Sequence, residues 1–215
     1  MNTNAASDTI EALNWRYATK KFDPTAKLSQ EELEYLLEAT RLSASSFGLQ
    51  PWKLILVNDP ALRTKIRAAA YDQSQITDAS NLFVFAVRTD VDERYVDMFI
   101  AQVAASRGAK PADLAGYSDS IKGALKMRGP ESTKEWSTRQ TYIAVGTLLS
   151  AAAAVGIDAC PMEGFDPAKV DTILGLPAMK LESRVIVTVG ARSKDDSYAK
   201  LPKFRFPKKD IVVEL

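Results

Sequence analysis

Arg16-Tyr-Ala-Thr-Lys20-Lys21-Phe22 and Ser43-Ala-Ser-Ser-Phe-Gly-Leu-Gln-Pro-Trp52 are the two stretches on which the reading of this chain turns. The first sets three cations at the end of a predicted helix. The second is small and polar, closes on Pro51-Trp52, and feeds an apolar strand, Trp52-Lys-Leu-Ile-Leu-Val57. Together they suit a bound phosphate beside a planar ring. The chain has no histidine and one cysteine. Most side-chain catalysis is therefore closed to it, and a bound cofactor is expected to carry any chemistry.

Around these stretches, helices and strands alternate irregularly, which predicts a single α+β domain over residues 1–215 with a central sheet. Asp8 reads as the cap of a first helix. Ser29 and Glu32 have capping-box spacing, and Leu33, Leu36 and Leu37 follow with helical periodicity. Asp59-Pro60 starts another helix. Leu82–Val87 reads as a buried strand, and a helix runs from near Asp90 toward Arg107, stopped by Gly108. Residues 109–130, broken by Gly116, Gly123 and Gly129-Pro130, read as short helical pieces in a surface excursion, a candidate lid. A second capping box, Ser132 with Glu135, opens a long helix ending at Gly156. From Ile143 that helix is apolar nearly all round, as expected for a core or a subunit interface. Asp166-Pro167 starts a helix ended by Gly175, and Arg184–Gly190 is a strand. The tail, 194–215, reads as extended and basic.

The composition is that of an ordinary globular protein, 46% hydrophobic and 26% charged, with net charge +1. Nothing global points to nucleic acid or an anionic membrane. Cys160 has no cysteine to pair with, the start of the chain lacks a signal-peptide pattern, and the longest apolar run falls short of the ~20 residues of a membrane span. A cytoplasmic protein is expected. No G-x-G-x-x-G follows a strand and no Walker A sequence occurs, which argues against Rossmann and P-loop enzymes. Without histidine there is no His-dependent triad and no usual zinc site, so no metal is expected.

Three clusters stay ambiguous on spacing alone. Arg16 and Lys20 share a face if their segment is helical, either as an anion site or as a solvated basic patch at a helix C-terminus. Lys203-Phe-Arg205-Phe in an extended chain puts the cations on one side and the aromatics on the other. That suits an anion clamp anchored by Phe204 and Phe206, or a charged edge strand. Cys160-Pro-Met-Glu-Gly-Phe165 lets a backbone pass close to a ligand, or is a turn before the Asp166 cap with Cys160 as a core thiol.

These clusters resemble, in order and over nearly the whole chain, the flavin-dependent nitroreductase family, in its oxygen-insensitive NAD(P)H nitroreductase and flavin reductase branch. The matching residues are Arg16–Phe22, Ser45-Ser46 with Gln50-Pro51-Trp52, Thr77-Asp-Ala-Ser80, Pro161–Phe165 and Leu201-Pro-Lys-Phe-Arg205. The resemblance implies an α+β intertwined homodimer, with a central mixed β-sheet flanked by helices and the tail wrapped on the partner. It implies one FMN at each end of the interface and NAD(P)H as hydride donor. Arg16, Lys203 and Arg205 would hold the FMN phosphate, within a binding segment that also includes Tyr17, Ala18 and Thr19. Lys20 would sit near flavin N1 and tune it, since a fixed cation there favours the anionic reduced ring. Ser45, Ser46 and Gly48 would reach the flavin of the other subunit. Pro161 and Met162 would line the ring face, the backbone of Glu163 and Gly164 would meet the N5 edge, and Asp72 and Gln75 would lie beside the cofactor. Phe47, Tyr71 and the 109–130 excursion are assigned to the acceptor pocket. Ala18, Gly48, Asp72 and Gln75 depart from the residues usual in this branch (Ser, Asn, Asn and, in some relatives, Lys), and bear on substrate preference.

The implied activity is ping-pong two-electron reduction of nitroaromatics, quinones or flavins. Flavin N5 is then the reactive centre, with no side-chain nucleophile or acid/base. The alternatives are a specialised flavoreductase acting on a pteridine, an enone or a halogenated aromatic, and a non-catalytic flavin- or anion-binding dimer. Neither the physiological acceptor nor the choice of NADH over NADPH is written in any motif.

Overall fold

The computed structural model describes residues 3–215; residues 1 and 2 of the expected domain lie outside the described residues. In chain order the helices and strands are α1 (Thr3–Trp15), α2 (Gln30–Arg41), β1 (Trp52–Leu56), α3 (Pro60–Ala69), α4 (Gln75–Asp78), β2 (Asn81–Arg88) and α5 (Glu93–Ser106). They continue with α6 (Ala115–Ala154), β3 (Asp158–Met162), α7 (Pro167–Leu174), β4 (Leu181–Gly190) and α8 (Lys208–Ile211).

The capping signals work as chemistry predicts. Ser29 and Glu32 exchange side-chain and backbone bonds at the start of α2, and the Asp59 and Asp166 carboxylates accept backbone N–H groups ahead of Pro60 and Pro167. Asp8, however, lies inside α1, which starts five residues earlier than the cap it was expected to provide.

The sheet order is β1-β2-β4-β3. Its neighbours are all antiparallel, which corrects the mixed sheet expected. The reason is topological: β2 and β3 point the same way, but β4 slots between them running opposite. A lone parallel bridge, Ala18 with Ala159, adjoins the outer edge of β3. β3 was not expected as a strand: its residues from Cys160 read as a backbone passing close to a ligand or as a turn. Pro161 cannot donate to a ladder, and it is tolerated here because β3 is an edge strand.

β2 and the second half of β4 are buried on both faces, which explains the apolar run Leu82–Val87 and the mostly apolar stretch Val185–Val189. Leu82, Val84 and Ile186 pack with residues of α3 and α7. Phe83, Phe85, Val185 and Val187 pack on the opposite face with Leu36 of α2 and Ala144 and Leu148 of α6. Gly190 ends β4 where the chain passes Ser80 so closely that a Cβ would lie 2.9 Å from the Ser80 backbone nitrogen.

The 109–130 segment is more ordered than its glycines suggested. After a short 3-10 turn, α6 passes Gly116 and Gly123 without a break. It interrupts at Gly129, whose φ of 72° is non-helical, and resumes at Pro130, two residues before the expected Ser132 start. Burial explains the continuity: Ile121 and Leu125 pack with Val96 and Ile100 of α5 in a satellite core. The tail is not extended throughout: a 3-10 turn at Ser197–Lys200 precedes an extended run to Pro207, beyond which α8 forms a single turn. Among the described residues no helix is long and apolar enough to cross a membrane.

Candidate functional site

The shared face of Arg16 and Lys20 was expected on the condition that the segment after α1 is helical. The segment is extended instead. Thr19 N–H bonds to Ala159 O, and Asp23 N–H to Ala191 O, so the chain runs along β3 and the exit of β4. In an extended chain side chains alternate. Arg16, Ala18 and Lys20, with Tyr17 between them, line a cavity of about 450 Å³, whereas Thr19 does not. Thr19 is wholly buried and its hydroxyl reaches Asp158 at 3.4 Å. The spacing of four puts Arg16 and Lys20 on one side in either conformation, which is why the sequence argument reached the right pairing by the wrong geometry.

Two buried carboxylates that the sequence reading passed over fix this segment. Asp196, 1% exposed, accepts from the Tyr17 hydroxyl at 2.8 Å, from Lys20 N–H at 2.8 Å and from Lys21 N–H at 3.1 Å. Its other oxygen caps the turn at Tyr198. Burial opposes its charge, but these bonds hold its carboxyl below the ordinary value. Burial and the same hydrogen bond push the Tyr17 hydroxyl up to about 12. Asp158 pairs with Arg192 at 2.6 Å, and the Arg192 guanidinium lies over the rings of Trp15 and Tyr17 at 4.3 and 4.7 Å. An acid at the first position of an apolar segment was the available signal for Asp158. Asp196 sat in a polar run that looked like any loop.

The tail closes the cavity with Lys203 and Arg205. The Lys203 ammonium donates to the carbonyls of Leu13 and Arg16, capping the end of α1. Burial first, then Arg205, pull the Arg16 guanidinium down. Burial, then Arg16 and Arg205, do the same to Lys203. Among the described residues no carboxylate lies within ion-pair distance of Arg16, Lys20, Lys203 or Arg205. Phe204 and Phe206 do share a side, edge to face at 5.2 Å. They are 70% and 64% exposed, so they do not anchor the tail to its own chain as expected.

The 160–164 segment adjoins this cavity through the Ala18–Ala159 bridge. Cys160 is buried, and burial pushes its thiol up despite the nearby Lys20 and Arg16, which fits the core-thiol reading. Met162 is buried, Pro161 half-buried, and Glu163 and Gly164 exposed. Glu163 accepts the hydroxyl proton of Tyr142 from α6, whose pKa is raised to about 12 by burial and this bond. The Gln73 amide donates to Gly164 O at 2.7 Å, which brings Tyr71, Asp72 and Gln75 to the same side of the molecule. Asp72 is paired with Arg67 at 2.7 Å, and Gln75 is buried.

Ser45, Ser46, Phe47 and Gly48 lie elsewhere. Ser46 N–H bonds to Gln140 of α6 at 2.8 Å. Phe47, with φ of 57°, packs against Trp136 and receives the Tyr117 hydroxyl on its carbonyl. Thus α6 holds one group through Gln140 and the other through Tyr142. Arg16, Tyr17, Ala18, Lys20, Lys203 and Arg205 line one cavity; residues 161–164 follow from the strand that borders it and meet 71–75 through the Gln73 bond, without lining it, and 45–48 lie apart against α6. Phe47 and Tyr71, assigned together from sequence, fall on either side of that division.

An α+β sheet protein with an unpaired cationic cavity beside an edge strand is thus defined by its own geometry. The nitroreductase family model matches residues 13–191, and the chain belongs to the Nitroreductase family. It is 34% identical over 214 residues to YfkO of Bacillus subtilis, which carries the name NAD(P)H nitroreductase, covering 94% of this chain and 95% of that one. Its fold is similar to that of YdfN of Bacillus subtilis, described as a nitroreductase, with a TM-score of 0.86 at 20% identity over 98% and 100% of the two chains. It is also similar to an Exiguobacterium sibiricum protein described as a nitroreductase in complex with FMN, with a TM-score of 0.80 at 20% identity over 96% and 97%.

Proposed function

We propose that this chain is an FMN-dependent NAD(P)H oxidoreductase, reducing nitroaromatics, quinones or flavins by two electrons in a ping-pong cycle, as a homodimer. The observation that carries the reading is the cavity holding Arg16, Lys20, Lys203 and Arg205 without a carboxylate partner. Cations that depress one another's proton affinity are relieved by a bound anion, and a phosphomonoester supplies charge and acceptors to several of them at once. The donor set therefore fits the FMN phosphate. The family membership and the FMN of the Exiguobacterium protein support the same assignment.

In this reading Arg16 and Arg205 grip the phosphate, while Lys203 divides its donors between the phosphate and the end of α1. Lys20, held through its backbone by Asp196, presents its ammonium to the anionic edge of the ring. Tyr17, Ala18 and Thr19 give the backbone wall of the same segment. Pro161, Met162, Glu163 and Gly164 border the ring face and edge, with Asp72, Gln75 and Tyr71 beside them. Bound FMN would supply the two-electron chemistry between nicotinamide and acceptor. Ser45, Ser46, Gly48 and Phe47 belong to the partner's site in this reading, which accounts for their separation from Arg16 within one chain. The exposed apolar side chains of α1, of Tyr142 and Ile143 on α6 and of the tail supply the dimer contact.

The visible spectrum of the purified protein, followed during anaerobic addition of NADH or NADPH and then of a quinone, tests the proposal. A flavin spectrum that bleaches and recovers is expected. A protein that stays colourless after incubation with FMN overturns it.

A further inference from the structure

Tyr71 and Asp72 hold successive φ angles of 54° and 57°. Two neighbouring non-glycine residues in the left-handed region are costly, and such strain persists only where the surroundings impose it. Here they do. Arg67 Nε holds the Asp72 carboxylate at 2.7 Å, and Asp72 N–H returns to Arg67 O at 3.1 Å. Gln73 adds a long-range tie: its side-chain amide donates to Ala70 O at 3.1 Å, before the turn, and to Gly164 O at 2.7 Å, 91 residues away.

The outcome is an aromatic ring that is presented rather than packed. Tyr71 is 76% exposed. Its Cδ2 lies 4.0 Å from where a Cβ at position 164 would stand, and Gln73 Nε2 lies 3.4 Å from the same point. The ring and the strut thus border Gly164 together.

We infer that Gln73 is a positioning residue. By tying the strained turn to the Gly164 carbonyl it fixes Tyr71 as a rigid wall beside the 161–164 segment, and so sets the size of planar acceptor that the site takes. The inference rests on the oxidoreductase reading for its acceptor, but not for the strut itself. A loosely held Tyr71 would give small rings no firm stacking surface and would open space for larger ones, so the strut favours one-ring over three-ring acceptors.

The test uses two variants. Gln73→Glu keeps the length but has no N–H to donate, and Gln73→Met removes the amide without adding charge. Hydrogen exchange on the full-length protein, without added nucleotide, reads the strut. Backbone amides of residues 70–74 should exchange about tenfold faster in both variants, with the β2 and β4 amides unchanged. Steady-state kinetics with 1,4-benzoquinone and anthraquinone-2-sulfonate read the wall. KM for benzoquinone should rise relative to that for the anthraquinone by about fivefold. Unchanged exchange in both variants overturns the strut. Faster exchange with an unchanged KM ratio, in a protein whose wild type turns over, overturns the acceptor role alone. A wild type that oxidises no NAD(P)H overturns the oxidoreductase reading and the acceptor role with it, and the exchange result then stands for the strut by itself.

Discussion

Tyr17 donates its hydroxyl to the buried carboxylate of Asp196 at 2.8 Å across 179 residues of sequence. This bond joins the two pieces of chain that form the cationic cavity. The segment holding Arg16 and Lys20 leaves α1, while Lys203 and Arg205 follow the turn that Asp196 caps. Asp196 thus ties together the two pieces of chain that carry the four cations, and Lys203 adds a second tie through the carbonyls of Leu13 and Arg16.

Replacing Asp196 with Ala should destabilise the protein by about 3 kcal/mol, because several backbone N–H groups and a hydroxyl lose their acceptor in a buried place. Asp196→Asn keeps an acceptor and should cost less. The carboxyl is held below its ordinary value in the fold, so its contribution is complete above the unfolded-state pKa and lost as pH falls through the folded one. Denaturant unfolding at pH 7 and near pH 3 checks this: the gap between wild type and Asp196→Asn should narrow at the lower pH.

Tyr17 and Tyr142 both have hydroxyls raised to about 12. Their bonds to carboxylates contribute fully below the unfolded-state value and are lost as pH rises through about 12. Burial raises the Tyr95 hydroxyl as well, so tyrosinate absorbance should show three residues ionising late. The late component should fall by one tyrosine in each of Tyr17→Phe and Tyr142→Phe.

Arg16→Ala and Arg205→Ala should each weaken FMN binding by about 10- to 100-fold, the range expected for losing a charge-assisted bond to phosphate. Riboflavin, which lacks the phosphate, should bind the variants and the wild type alike. Quenching of flavin fluorescence measures both. An equal loss for the two ligands would place these arginines somewhere other than at the phosphate.

Gly190→Ala should cost about 1–3 kcal/mol by overpacking, since the new methyl would meet the Ser80 backbone nitrogen at 2.9 Å and the Phe22 ring at 3.3 Å. Thermal unfolding reads the loss. Alanine at Gly116, where nothing lies within 4 Å of the Cβ position, is the control.

Much of the fold was legible because its signals are local. Capping at Ser29, Asp59 and Asp166 is chemistry within three residues, and the apolar runs of β2 and the second half of β4 record burial on both faces. The failures share a cause. β3 contains a proline that only an edge position tolerates, and edge position is not a local property. Gly116 and Gly123 looked like breakers until α5 packed against their helix.

The sequence by itself determined most of the longer helices and three of the four strands, the absence of histidine chemistry, the cationic residues and the family to which their order belongs. Only the tertiary structure decided that Arg16 to Lys20 is extended, that Asp196 and Asp158 are buried beneath it, and that residues 45–48 stand apart from the cavity in their own chain. It also decided that Gln73 reaches Gly164 across 91 residues. A side chain's type is written in the sequence. Which distant backbone it meets depends on how the chain closes its loops, and single-residue chemistry carries no record of that.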